Sequence, residues 1–177
     1  MFDLIVVTAA NEAQARGYRA QLKGRNGFLV VADPGGRRVG SLGATVNVLR
    51  KLAKAGRTSG RILVCHSGGD ARRTPGYAAM GKAFVPMPDG RPMLDHIVDE
   101  MARLPKRPGV VICCGDVIPY LDYSQVKLGK AGVTGVAYPD GPGRRNAMGS
   151  MRGMREEGGG MREEGRFGLR AFCRSRR

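Results

Sequence analysis

Four short, unbroken apolar runs constrain what this chain can fold into more than any other feature: LIVVT at Leu4–Thr8, FLVVA at Phe28–Ala32, ILVC at Ile62–Cys65 and VVICC at Val110–Cys114. A strand with one wet face alternates apolar and polar residues. These runs do not alternate, which predicts strands covered on both faces. Stretches of helical composition lie between them. Asn11–Leu22 follows the first run, with Asn11 as its N-cap. The segment VNVLRKLAKAG places Val46, Leu49, Leu52 and Ala53 on one helical face and stops at Gly56. Met93–Leu104 is apolar at 93, 94, 97, 98, 101 and 104, the spacing of an amphipathic helix, and Pro105 and Pro108 end it. A shorter run, Val133–Ala137, reads as a fifth strand. The alternation predicts an α/β fold, a mostly parallel Rossmann-like sheet with helices on both faces. Ligands of such sheets sit at the carboxyl ends of the strands.

With 177 residues the chain suits one domain. The strand–helix pattern stops near Asp140, which sets the expected domain at residues 1–140. Residues 141–177 are rich in Gly, Arg and Met and repeat MREEG at Met154 and Met161; with little to bury, they are expected to be disordered. The formal net charge is +15, and ten of the 30 Lys and Arg residues lie in that tail. Such a charge favours anionic partners without choosing among them. The N-terminus lacks the basic and apolar regions of a signal peptide. No apolar run approaches the roughly 20 residues that span a bilayer. No membrane partner is expected, and a cytoplasmic location is the default. The four cysteines show no C-x-x-C spacing, which gives no support to a zinc site or a redox pair. Cys65, Cys113 and Cys114 lie in the strand runs and read as small buried hydrophobes.

Two glycine motifs follow predicted strands. Gly40-Ser41-Leu42-Gly43-Ala44-Thr45 reads as a turn that feeds a helix, able to bring backbone N–H groups near an anion; a plain tight turn explains it equally well. It is not G-x-G-x-x-G, so it gives no support to a dinucleotide site. The second motif, Ser67-Gly68-Gly69-Asp70, is followed by Arg72-Arg73, Pro75 and Gly81-Lys82. Its Gly76–Ala83 segment imitates a P-loop, but Ala83 offers no hydroxyl to a metal ion, and Pro75 rather than a strand precedes the glycine. Asp116 directly follows the fourth strand and suits a metal ion bridging phosphates; a polar residue ending a strand is the plainer reading.

The second motif resembles the glycine–arginine–lysine signature of sugar nucleotidyltransferases. The blocks DLIVVTAANEAQA, DPGGRRVGSLGATVNVL, ILVCHSGGDARRTPGYAAMGKAFVPMP and CCGDVIPYLD, in this order between Asp3 and Tyr138, resemble the fucose-1-phosphate guanylyltransferase family. Members are also called GDP-fucose pyrophosphorylases, and in bifunctional enzymes the module precedes a fucokinase domain. The resemblance implies a nucleotidyltransferase fold, here incomplete, that joins GTP and fucose 1-phosphate with Mg2+. It also implies Gly40, Ser41, Gly43 and Thr45 at the nucleotide, and Gly68 and Gly69 at phosphates. Arg73 and Lys82 would act on the phosphates during transfer, and Asp116 would hold the metal. The chain departs from the family at Leu42, where another glycine is usual, and at Ala71-Arg72, which replaces a Ser-Lys pair. The family module is much longer, with its sugar-binding residues further on, so the chain reads as a truncated nucleotide half with weak or absent turnover. The sequence leaves two other readings open: a non-catalytic nucleotide-binding remnant, or a nucleic-acid binder acting through the tail. The tail has only Phe167 and Phe172 for base stacking, which ranks the last reading lowest.

Overall fold

A computed structural model describes residues 1–69, 75–77, 80–129 and 132–135. Four strands, β1 (Leu4–Ala9), β2 (Phe28–Ala32), β3 (Arg61–His66) and β4 (Gly109–Cys114), alternate with three helices, α1 (Glu12–Gln21), α2 (Gly40–Lys54) and α3 (Met93–Ala102). All strand pairs are parallel and the order is β2-β1-β3-β4. The α/β class, the four strands and the three helices are those expected from the sequence.

The parity of the strands sorts the core into two layers. Val7 and Ala9 of β1, with Val30, Ala32 and Cys65, meet Ala15 and Tyr18 of α1, Leu22 just past its end, and Leu94 from α3. Leu4 and Val6, with Val31, Ile62 and Val64, meet Val48 and Leu52 of α2 on the other face. Val6, Val7, Leu63 and Val64 are fully buried, each contributing about 1.5–3 kcal/mol from burial. Asn11 caps α1 as expected, its side chain accepting from the Gln14 backbone N–H.

Four expectations need correction. The helix α2 begins at Gly40, so the Gly40–Thr45 stretch forms its first turns and is not a loop ahead of it. Gly40 alone makes the turn, at φ 68°. Gly43 is glycine because a side-chain carbon there would come within 2.6 Å of Val39 Cβ. The buried face of α2 is Ala44, Val48 and Leu52; of the residues expected there only Leu52 is buried, while Val46, Leu49 and Ala53 are exposed. That flank of the helix points away from the strands it packs on. Nor do the described residues cover the sheet on both faces throughout. At edge strand β4, Val110 and Ile112 are 41% and 52% exposed, and Cys114 is exposed with them. Only Cys65 of the three strand cysteines is buried.

The chain divides after Tyr120. In its second part, Tyr123–Gln125 form one 3-10 turn, with the Asp122 side chain accepting from the Ser124 N–H. Residues 133–135 are irregular, and the rest of the expected fifth strand lies outside the described residues, as does the 141–177 tail. No described helix is long and apolar enough to cross a membrane.

Candidate functional site

The register of the sheet brings Thr8, His66 and Cys114 into one row at its carboxyl edge. Just beyond that row lies a cleft of about 140 Å³. Thr8 and Ala10 from the end of β1, Asp33 from the end of β2, and His66, Gly68 and Gly69 from the end of β3 line one side. Arg38 and the start of α2, through Gly40, Ser41 and Ala44, line the other. The first N–H groups of a helix have no partners within it and carry partial positive charge, so this end of α2 favours an anion. Gly68 lies directly on β1: a side-chain carbon there would sit 3.1 Å from the Ala10 nitrogen and 3.3 Å from the Ala9 carbonyl carbon. Gly69 faces open space.

Helix α1 grips both ends of the second glycine motif. Gln14, Tyr18 and Gln21 share one helical face. The Tyr18 hydroxyl donates to the Ser67 carbonyl at 2.9 Å, and Gln14 Nε2 donates to the Gly69 carbonyl at 3.2 Å. Gln14 Oε1 accepts from the Ala10 N–H at 2.8 Å, tying the same side chain to the end of β1. At the far end of the motif, Gln21 Nε2 donates to the Met80 carbonyl at 3.0 Å. Tyr18 is fully buried, with its ring 4.9 Å from that of Phe84, and burial raises its phenol pKa. Gly81 presses on this ring: its φ is 79°, and a side-chain carbon would lie 2.3 Å from the Tyr18 oxygen. Gly81→Ala is therefore expected to destabilise the fold by about 3 kcal/mol, the sum of backbone strain and overpacking. Gly35→Ala, also at positive φ but with nothing near, should cost about 1 kcal/mol. Urea midpoints of the two variants check the difference.

His66 sits between two hydroxyls. Its Nδ1 is 3.3 Å from Thr8 Oγ1 and its Nε2 is 2.9 Å from Thr45 Oγ1. Burial lowers the imidazole pKa, while the Asp33 charge pulls it back up. Lys82 Nζ meets Asp116 Oδ2 at 2.9 Å, both side chains partly exposed. Asp116 is held beside the glycine motif by its neighbour: the Gly115 N–H donates to the His66 carbonyl at 2.8 Å. A side chain at 115 would crowd the His66 carbonyl and Ser67, 3.1 Å from each.

Of the residues expected at the site, Gly40, Ser41, Gly68 and Gly69 line the cleft. Gly43 packs on Val39, and Thr45 turns to His66. Lys82 and Asp116 are brought together, whereas Arg73 lies outside the described residues. The described residues hold no cluster of three metal-binding side chains. A single carboxylate suits Mg2+ that draws its other ligands from phosphates and water, and does not suit a cage built of protein alone. Sequence reasoning missed Thr8, Asp33, Arg38 and His66, and with them the grip of α1. A histidine between an apolar strand and Ser67-Gly68-Gly69 was a usable signal, because that junction falls at the carboxyl edge of the sheet.

Comparison with known proteins bears out the resemblance. Residues 57–144 match the Fucose pyrophosphorylase domain, a span that includes Gly68, Gly69, Arg73, Lys82 and Asp116. The chain is 30% identical over 158 residues to the human Fucose-1-phosphate guanylyltransferase, an alignment covering 78% of this chain and 26% of the human protein. The mouse protein of the same name is likewise 30% identical, with 27% of its length covered. A Bifunctional fucokinase/GDP-fucose pyrophosphorylase of Arabidopsis thaliana is 32% identical over 183 residues, covering 78% of this chain and 17% of that one. The chain thus spans about a quarter of the length of the two guanylyltransferases. No solved structure matches it.

Proposed function

We propose that this chain, a relative of the fucose-1-phosphate guanylyltransferases, binds GTP in the cleft and transfers its guanylyl group to fucose 1-phosphate. The products are GDP-fucose and pyrophosphate. One observation carries the reading: Lys82 and Asp116, 34 residues apart in sequence, meet at 2.9 Å inside the segment that matches the family.

In the proposed reaction a phosphate oxygen of the sugar phosphate attacks the α-phosphorus of GTP. The bond from that phosphorus to the bridging oxygen of the β-phosphate breaks, and pyrophosphate leaves. Such transfers depend on positioning and on neutralising charge. The open N–H groups at the start of α2 and the backbone of Gly68 and Gly69 receive the phosphates. The Lys82 ammonium balances charge gathering on the departing pyrophosphate, a task shared with Arg73. Asp116 is the residue to hold Mg2+, which when bound supplies further positive charge to the triphosphate.

The test is pyrophosphate release from GTP plus fucose 1-phosphate, comparing the chain with Lys82→Ala and Asp116→Asn. Release that depends on both residues is the expected result. Equal rates in all three proteins would remove the assigned roles.

A further inference from the structure

We propose that His66 is a positioning residue, held as the neutral Nε2–H tautomer, that fixes the first turns of α2 as the anion-facing wall of the cleft; the proposal rests on the nucleotide reading above. The start of α2 lacks the usual anchor, since Val39 at its N-cap makes no side-chain hydrogen bond to the helix. That leaves the first N–H groups open to a ligand. The end of β2 ties the helix start at two points, Asp33 Oδ2 accepting from the Val39 N–H at 3.4 Å and Asn47 Nδ2 donating to the Ala32 carbonyl at 3.1 Å; β3 supplies the tie to the turn that carries Ser41.

Hydrogen-bond arithmetic assigns the tautomer. The Thr45 hydroxyl has one proton and donates it to the Ser41 carbonyl at 3.0 Å. Toward His66 Nε2, at 2.9 Å, Thr45 Oγ1 can therefore only accept, so Nε2 carries the hydrogen. Nδ1 is then bare and accepts the Thr8 hydroxyl proton at 3.3 Å. Burial disfavours the charged ring, in keeping with this arrangement. The chain of groups runs from β1 through β3 to the Ser41 carbonyl in the first turn of α2. Thr8, His66 and Ser41 all border the cleft. Moving the ring thus moves the wall.

Two measurements test this. In the ligand-free protein at pH 7.5, a value chosen to lie about a unit above the ordinary histidine pKa, the 15N shifts of the His66 ring should show Nε2 protonated and Nδ1 bare. A Thr45→Val variant should lose that signature. In Mg·GTP titrations, His66→Phe should bind about tenfold more weakly than the parent chain, the effect of a lost hydrogen bond together with a displaced helix start. His66→Gln, whose amide can place an N–H near the Nε2 position, should stay within about threefold. An Nδ1–H tautomer overturns the proposal, whatever the titrations give. Parent-like binding by His66→Phe, or a glutamine variant as weak as the phenylalanine one, overturns it as well. Should the parent chain itself not bind Mg·GTP, the nucleotide reading fails, and the ring signature alone then decides whether the clamp exists.

Discussion

Arg61→Leu is expected to lower the unfolding free energy by about 3 kcal/mol, the largest stability loss foreseen for a single polar residue here. Arg61 opens β3 yet is only 5% exposed. Its Nη2 donates to the Leu104 carbonyl at 2.9 Å and to Met101 at 3.2 Å, and Nη1 donates to Ala102 at 3.4 Å. These carbonyls lie at and just past the end of α3, where a helix has more acceptors than donors and a partial negative charge. The guanidinium also lies 4.2 Å above the Phe2 ring. Burial lowers its pKa and Asp3 opposes the shift; an arginine starts so high that it stays charged. Leucine would fill much of the volume but remove the donors to the Ala102 and Leu104 carbonyls, while the Met101 carbonyl keeps the Leu104 N–H at 3.2 Å. Replacing a whole buried ionic network by apolar groups can be neutral, but removing one partner is not. Arg61→Lys, with a single ammonium in place of a fork, should lose about half as much. Urea unfolding midpoints measure both variants. A leucine variant within about 0.5 kcal/mol of the parent would mean that the end of α3 finds other donors.

Lys82→Ala and Asp116→Asn are each expected to slow pyrophosphate release by about 10²–10³-fold, the range for losing one charge-stabilising group at a reacting centre. In the free protein the two side chains neutralise each other. A partly exposed pair of this kind contributes about 0–1 kcal/mol to stability, so both variants should unfold close to the parent midpoint. That separates chemical loss from structural loss. Their metal requirements should then diverge. Lys82→Ala leaves the Asp116 carboxylate without its cation, so the Mg2+ concentration for half-maximal rate should stay level or fall. Asp116→Asn removes the anionic ligand, so that concentration should rise. Variants that shifted together would show that the pair acts only as a surface ion pair.

Much of this fold was legible because its strands are buried in ways composition records. LIVVT and FLVVA announce themselves as strands covered on both sides, and both are. The run VVICC reads the same way but, among the described residues, lies at the edge of the sheet with one face exposed, because apolar content alone does not say what packs on a strand. The start of α2 was misplaced for a different reason. Glycines at 40 and 43 look like a loop, yet only Gly40 takes a left-handed conformation, and Gly43 serves close packing against Val39. Gly68 and Gly69, which line the cleft, could be named because glycine stands out at strand ends, and the meeting of Lys82 with Asp116 joins two charges that stand out in the same way. Gln14, Tyr18 and Gln21 could not. They sit in an ordinary helix, and their partners are backbone carbonyls of Ser67, Gly69 and Met80 that no side-chain pattern reveals. His66 was hidden in the same way, since its role depends on the sheet register that sets it beside Thr8 and on the helix that delivers Thr45.

The central claim is that the cleft between the strand ends and α2 takes a nucleoside triphosphate. Titration of Mg·GTP into the chain and into Gly69→Asp tests it most directly. Gly69 lines the cleft and has nothing within 4 Å of where a side chain would begin, so aspartate there should leave the fold intact and place a carboxylate against the phosphates. Saturable binding by the parent chain, weakened at least about tenfold in Gly69→Asp as like charges repel, is the predicted result. Equal affinity in the two proteins, or no binding by a folded parent chain, would contradict it.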